Sequence, residues 1–364
     1  MSNATVTKKH EVVVVGGGQA GLAIGHFLAK QGRDFTILEA AAEPASAWRL
    51  RWDSLKLFTS ARYDALPGMD FPGDPDRYPT RDEVADYLTE YARHFDLPVE
   101  LNSRVESIRA ANGTYLVDLG DRTYQADQVV IATGPFQTPF VPGISSGLGE
   151  EVEQLHSTGY RSPQSLPEGR VVVVGGGNTG YQIAEELSAS HETHLSIGSR
   201  QMPLPQRILG RDLFWYLDAT GLIRKPKSSR IGKRMQQRED TLIGSRPRAL
   251  RRHGVQLHGR AVDAAGSTVR FSDATKLDVR SVIWATGFRL DHSWIDVPVF
   301  DADGRVAHER GVTRSPGLYF LGLLWQHTRG SALLGWVKDD AEYIAHQIGA
   351  FRQAGAGDRA LATN

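Results

Sequence analysis

Apolar residues fall along this chain in two kinds of run: short unbroken β-branched stretches, and longer stretches in which they recur every three or four positions. Glu11-Val-Val-Val-Val15 and Arg170-Val-Val-Val-Val174 are of the first kind and read as strands buried on both faces of a parallel sheet. After the first, Ala20, Ala23, Ile24, Phe27 and Leu28 recur with helical spacing until Gly32 stops the helix. Asp34 to Leu38 then reads as the next strand, closed by Glu39. After the second, a helix is predicted through about Ala189 and a strand near Thr193 to Ile197.

Two further buried strands, Val129-Val-Ile-Ala-Thr-Gly134 and Val282-Ile-Trp-Ala-Thr-Gly287, end in small residues that let the backbone pass close to a ligand or cross between domains. Pro135, Pro139 and Pro142 follow the first and Phe288 the second, as expected where the chain crosses. Gly317 to Gly322 reads as a strand and turn. Leu333, Leu334, Val337, Ile344 and Ile348 then form a helical pattern, with Ser331 the expected N-cap.

This order predicts an α/β fold with two Rossmann-like dinucleotide-binding domains, the second inserted into the first. The first domain is expected to comprise 1–160 and 288–364, and the insertion 161–287. A chain of 364 residues is long enough to bury two such cores.

Between each valine run and its helix lies a Gly-x-Gly-x-x-Gly turn: Gly16-Gly-Gly-Gln-Ala-Gly21 and Gly175-Gly-Gly-Asn-Thr-Gly180. Gly16 and Gly175 permit the tight turn, Gly18 and Gly177 let backbone approach a diphosphate, and Gly21 and Gly180 let helix pack on strand. The free N–H groups of Gln19, Ala20, Asn178 and Thr179, at the helix N-termini, suit phosphate. Glu39, 18 residues beyond Gly21, is placed to accept both hydroxyls of an adenosine ribose. The position 18 beyond Gly180 is Gly198, followed by Ser199 and Arg200. A hydroxyl and a guanidinium there would bind a ribose 2′-phosphate that a carboxylate would repel, so the second site is expected to take NADPH. The alternative for Arg200 is a surface turn.

Lys plus Arg equals Asp plus Glu at 42 each, which gives no reason to expect nucleic acid or an anionic membrane as partner. The segment from Arg200 to Arg252 is nonetheless basic, with only Asp212, Asp218, Glu239 and Asp240 as acids. It fits either a solvated helical face or an anionic ligand. The chain has no cysteine, so disulfides, thiolate metal ligands and a dithiol relay are excluded; no metal site is expected. No apolar run reaches the roughly 18 residues of a membrane span, and a cytoplasmic protein is the expectation.

With Trp48-Arg49 ahead of Leu55-Lys-Leu-Phe-Thr59 and Leu66-Pro67-Gly68, the paired glycine turns and the two Ala-Thr-Gly crossings, nearly the whole chain resembles the class B flavin-dependent monooxygenases, the group of flavin-containing and Baeyer-Villiger monooxygenases. The linker motif of that family is half present: His156 and Tyr160 match, whereas Glu150 and Val152 stand in the Phe and Gly positions. His156 is either a reporter of nucleotide binding or a hydrogen-bonded interdomain histidine.

The resemblance implies FAD in the first domain, held by Gly16, Gly18, Gln19, Ala20, Gly21, Glu39, Trp48, Arg49, Thr133, Gly134, Gly322 and Ser331. It implies NADPH in the second, held by Gly175, Gly177, Asn178, Thr179, Gly180, Ser199, Arg200, Thr286 and Gly287. NADPH would reduce the flavin, and a flavin C4a-(hydro)peroxide formed with O2 would pass one oxygen atom to a small organic or heteroatom substrate. A cation near the flavin would favour the anionic peroxide, which makes Arg49, Arg62 and Arg329 candidates; Arg49 and His327 are the candidate catalytic residues. Leu213-Phe-Trp-Tyr-Leu217 would line a substrate pocket or form helix core or a homodimer patch. The rival functions are an NADPH-flavin reductase serving a quinone or protein acceptor, and a nucleotide-sensing flavoprotein with little turnover.

Overall fold

The computed structural model describes residues 6–199, 202–237 and 241–361. Its larger sheet is built around the strand Val6–Val15, which pairs in parallel with Phe35–Leu38 on one side and Thr123–Ile131 on the other. Val99–Glu100 extends the sheet beyond Phe35–Leu38. Thr123–Ile131 is shared: its first half continues an antiparallel meander with Thr114–Asp118 and Ser107–Ala111, and its second half pairs in parallel with Leu318–Phe320. Val12, Val13 and Val14 are fully buried, as strands covered on both faces require.

The helix Gln19–Lys30 covers one face, and Leu22, Ile24 and Leu28 share a core with Val337, Ile344 and Ile348 of the final helix, Val337–Leu361. Beside them runs Arg81–His94, started by a capping box in which the Thr80 hydroxyl accepts the Glu83 N–H and the Glu83 carboxylate accepts the Thr80 N–H.

The second sheet is wholly parallel, in the order Gln256–His258, Glu192–Ser196, Arg170–Val174, Ser281–Trp284, Glu153–His156. Its helix is Asn178–Leu187. A three-stranded antiparallel layer, Ala261–Ala265, Thr268–Phe271 and Lys276–Asp278, packs on it. Glu153–His156 belongs to this sheet although it precedes residue 161. The chain enters and leaves this unit along Thr138–Pro139 and Phe288–Arg289, which pair antiparallel.

The segment Leu213–Leu217 lies in a short helix, Leu213–Ala219, whose N-terminus is capped by the Asp212 carboxylate. Leu213 and Phe214 turn inward. Phe214 stacks on Phe58, and Tyr63 stacks on Trp336 at 5.5 Å, so the inserted unit and the first domain share an aromatic cluster.

The final helix begins at Val337, which corrects the expectation of a helix capped by Ser331. The Ser331 hydroxyl accepts the N–H groups of His327 and Thr328, which precede it, and so closes a turn of the preceding loop. Gly335 presses against the Tyr63 carbonyl, where a Cβ would lie 2.0 Å from the oxygen, so this loop is pinned to the first domain before the helix starts.

Candidate nucleotide cleft

The two glycine turns share one geometry. Gly16 and Gly175 take φ of +111° and +136°, and a Cβ there would meet the carbonyl oxygens of Ala132 and Ala285 at 2.6 and 2.1 Å. A Cβ on Gly21 or Gly180 would fall 1.9 Å from the carbonyl oxygen of Gly16 or Gly175. Those four glycines serve close packing of protein on protein. Gly18 and Gly177 differ, because a Cβ on either would meet no protein atom within 4 Å. Each stands at the N-cap of its helix with no side-chain cap, so first-turn N–H groups face open space. Open space lined by donors that have no partner among the described residues, at a helix N-terminus, fits a dinucleotide diphosphate.

Around the first turn, Glu39 Oε2 accepts the Gly17 N–H and Oε1 accepts the Ala41 N–H. Gln19 accepts a hydrogen bond from the Trp48 indole at 3.3 Å and donates to the Ala332 carbonyl at 3.0 Å. Gly322 takes φ +84° with Ala20 against it. The structure therefore gathers Gln19, Ala20, Glu39, Trp48, Gly322 and the Ser331 loop at one turn. Thr133 and Gly134 stand across from it, tied by the Gln137 amide, which donates to the Thr133 hydroxyl and the Gly134 carbonyl at 3.0 Å each.

Arg49 is placed otherwise. Its guanidinium is spread over Glu43, Asp82 and Asp86, three carboxylates on the outer side of this region, and the Asp86 bond raises its pKa most. Arg62 pairs with Asp76. His327 contributes main chain: its carbonyl accepts the Lys227 N–H of the inserted unit at 2.7 Å, while burial lowers the pKa of its ring.

The second turn opens on a cleft of about 550 Å³ that Gly175, Gly177, Thr179, Ser199, Thr286 and Gly287 help to line. Asn178 faces away; its side-chain oxygen accepts the Ile243 N–H. Ser199 is exposed at the rim, and Arg200 lies outside the described residues. Arg260 also lines the cleft and donates to the Gly198 carbonyl at 2.9 Å. No local motif marks Arg260, because the parallel pairing of Gln256–His258 with Glu192–Ser196 is what carries it to Gly198.

The cleft reaches the crossing through Phe136, Phe140 and Phe288. There the Thr286 hydroxyl donates to the Phe140 carbonyl and Phe140 N–H to the Gly287 carbonyl. His156 Nε2 lies 3.0 Å from that same Gly287 carbonyl, and its ring meets Phe288 edge-on at 5.1 Å. A carbonyl can only accept, so Nε2 carries the proton. Burial, and secondarily the neighbouring Arg51, lowers the His156 pKa and keeps the ring neutral. Tyr160 is buried and donates to Glu186 at 2.8 Å.

Residues 13–203 match the model of the pyridine nucleotide-disulphide oxidoreductase family. An uncharacterized CzcO-like oxidoreductase of Geobacillus kaustophilus is 42% identical over 340 residues, covering 93% of this chain and 98% of that protein. The probable indole-3-pyruvate monooxygenase YUCCA9 of Arabidopsis thaliana is 29% identical over 383 residues, covering 93% and 88%. Among solved structures, a flavin-containing monooxygenase from Stenotrophomonas maltophilia superposes with a TM-score of 0.79 at 29% identity, covering 95% of this chain and 99% of that one.

Proposed function

The chain belongs to the pyridine nucleotide-disulphide oxidoreductase family, and from that premise we propose that it is an FAD- and NADPH-dependent monooxygenase acting on a small organic or heteroatom substrate. The observation that carries this reading is the pair of matching turns, each with one glycine facing open space, on either side of a single crossing. One turn is assigned to FAD and the other to NADPH. The chain contains no cysteine pair to pass electrons to a disulfide, so the electrons taken from NADPH need another acceptor, and O2 with an organic substrate balances them: NADPH, a proton, O2 and substrate give NADP⁺, water and the oxygenated product.

FAD supplies hydride acceptance and oxygen activation when bound. The chain's own residues hold and orient. The first-turn N–H groups would take the FAD diphosphate, and Glu39 keeps lone pairs for its ribose while fixing the turn. Trp48, anchored by Gln19, ties the turn to the loop before the final helix and screens that side from water. The second turn and Arg260 would hold the NADPH diphosphate and its adenosine end, with Ser199 and Arg200 on the 2′-phosphate side. His156, donating to the Gly287 carbonyl, would steady the crossing where it borders the cleft.

The test is to supply the FAD-loaded protein with NADPH, ¹⁸O₂ and a panel of thioethers, amines and ketones. Substrate-stimulated NADPH consumption with one ¹⁸O in the product supports the proposal. NADPH consumption that yields only hydrogen peroxide throughout, or that passes undiminished to a quinone without oxygen, replaces it with a reductase.

A further inference from the structure

The arginines near the crossing are compensated in different ways. Arg49 meets Glu43, Asp82 and Asp86, and Arg81 meets Asp53 and Asp82. Arg51 has no such partner: among the described residues its guanidinium meets neither a carboxylate nor a hydrogen-bond acceptor. It stands instead over two rings, 5.2 Å from the centroids of Phe136 and Phe288, which meet each other edge-on at 5.3 Å.

Its backbone, in contrast, is firmly held. The Arg51 carbonyl accepts from the guanidinium groups of both Arg81 and Arg161, so the position of the residue is fixed while its charge is left open. Its five N–H donors meet no acceptor among the described residues but keep contact with solvent, and the aromatic faces offset the charge without taking up those hydrogen bonds, so the fork is left available to a ligand. Burial lowers its pKa. The same two rings line the cleft at the second glycine turn.

Resting on the NADPH reading given above, we propose that Arg51 is a binding residue contributed by the first domain to the diphosphate of NADPH. A dinucleotide that starts at the second turn must traverse the crossing for its nicotinamide to reach the first domain, and Phe136 and Phe288 flank that route. Arg51 rides on those rings with every donor unused. A planar, permanently charged fork suits a diphosphate oxygen pair. It also makes nucleotide binding a contact between domains rather than within one.

The experiment titrates FAD-loaded wild type, Arg51→Ala, Arg51→Gln and Arg51→Lys with NADP⁺ and with 2′-AMP, which lacks the diphosphate, by calorimetry. Arg51→Ala and Arg51→Gln are expected to weaken NADP⁺ about ten- to a hundredfold and to leave 2′-AMP within about twofold, the loss appropriate to a charge-assisted hydrogen bond. Arg51→Lys falls between. Should Arg51→Ala lower the melting temperature, Arg51→Gln, which keeps a flat polar head, carries the comparison. Unchanged NADP⁺ affinity, or equal losses for both ligands, overturns the role of Arg51 while the NADPH reading stands. Wild type that holds FAD yet binds neither ligand overturns the NADPH reading and this inference with it.

Discussion

Glu39 Oε2 accepts the backbone N–H of Gly17 at 2.7 Å, so the acid that closes one strand also fixes the glycine turn at the end of its neighbour. The carboxylate therefore organises the site before any ribose arrives. Replacing it by Glu39→Gln turns one acceptor into a donor facing N–H groups. Purified Glu39→Gln is expected to hold FAD at least about tenfold more weakly than wild type. Full FAD content after dilution and gel filtration would contradict that arrangement.

The glycines of the second turn separate ligand from fold. Gly177 has φ −79° and room for a Cβ, so Gly177→Ala should melt with wild type yet lose NADP⁺ binding. Gly180→Ala drives a Cβ to 1.9 Å from the Gly175 carbonyl oxygen and should lower the melting temperature outright. A Gly177→Ala protein with undiminished NADP⁺ affinity would show that the open space is not where the nucleotide lies.

Ser331 is 1% exposed and its hydroxyl accepts two backbone N–H groups. Ser331→Ala strands both donors, with an expected loss of about 1–3 kcal/mol in urea unfolding. A loss within error would mean that the loop finds other acceptors.

The two turns were legible because what marks them is contiguous: a valine strand to leave, six residues with glycines at the first, third and sixth, and a helical pattern to enter. The parallel pairing at the centre of each sheet followed from the unbroken valine runs for a similarly local reason, whereas the antiparallel meander of the larger sheet did not. Ser331 shows where locality ends. A serine ahead of an apolar helical pattern can accept forward, as a cap, or backward, into a turn, and the choice was made by Gly335 packing on Tyr63, far away in sequence. Arg49 and Arg51 are two residues apart with the same side chain. Which one is neutralised depends on Asp82 and Asp86 of a later helix and on rings at the crossing, none of which the segment itself encodes.

His308 supplies a pH test. Burial, helped by Lys227 and opposed by Asp340, lowers its pKa to about 4, and its Nδ1 accepts the Gly311 N–H. In the unfolded chain the ring titrates near its ordinary value of about 6.5. Below that value the unfolded state binds a proton that the folded state refuses, so this contribution is complete above pH 6.5 and declines as pH falls toward about 4. Urea midpoints followed from neutral to mildly acidic pH should therefore fall less steeply in His308→Gln than in wild type. Identical slopes would mean that the imidazole is not held neutral.

The paired strands Thr138–Pro139 and Phe288–Arg289 bring the entry and exit of the inserted unit side by side. To the surrounding sheet, some hundred and fifty residues then look like the tip of a hairpin, and closing the host around them needs no more chain than a tight turn. A module attached this way can be exchanged, lengthened or reshaped by descent without rewiring the domain that carries it.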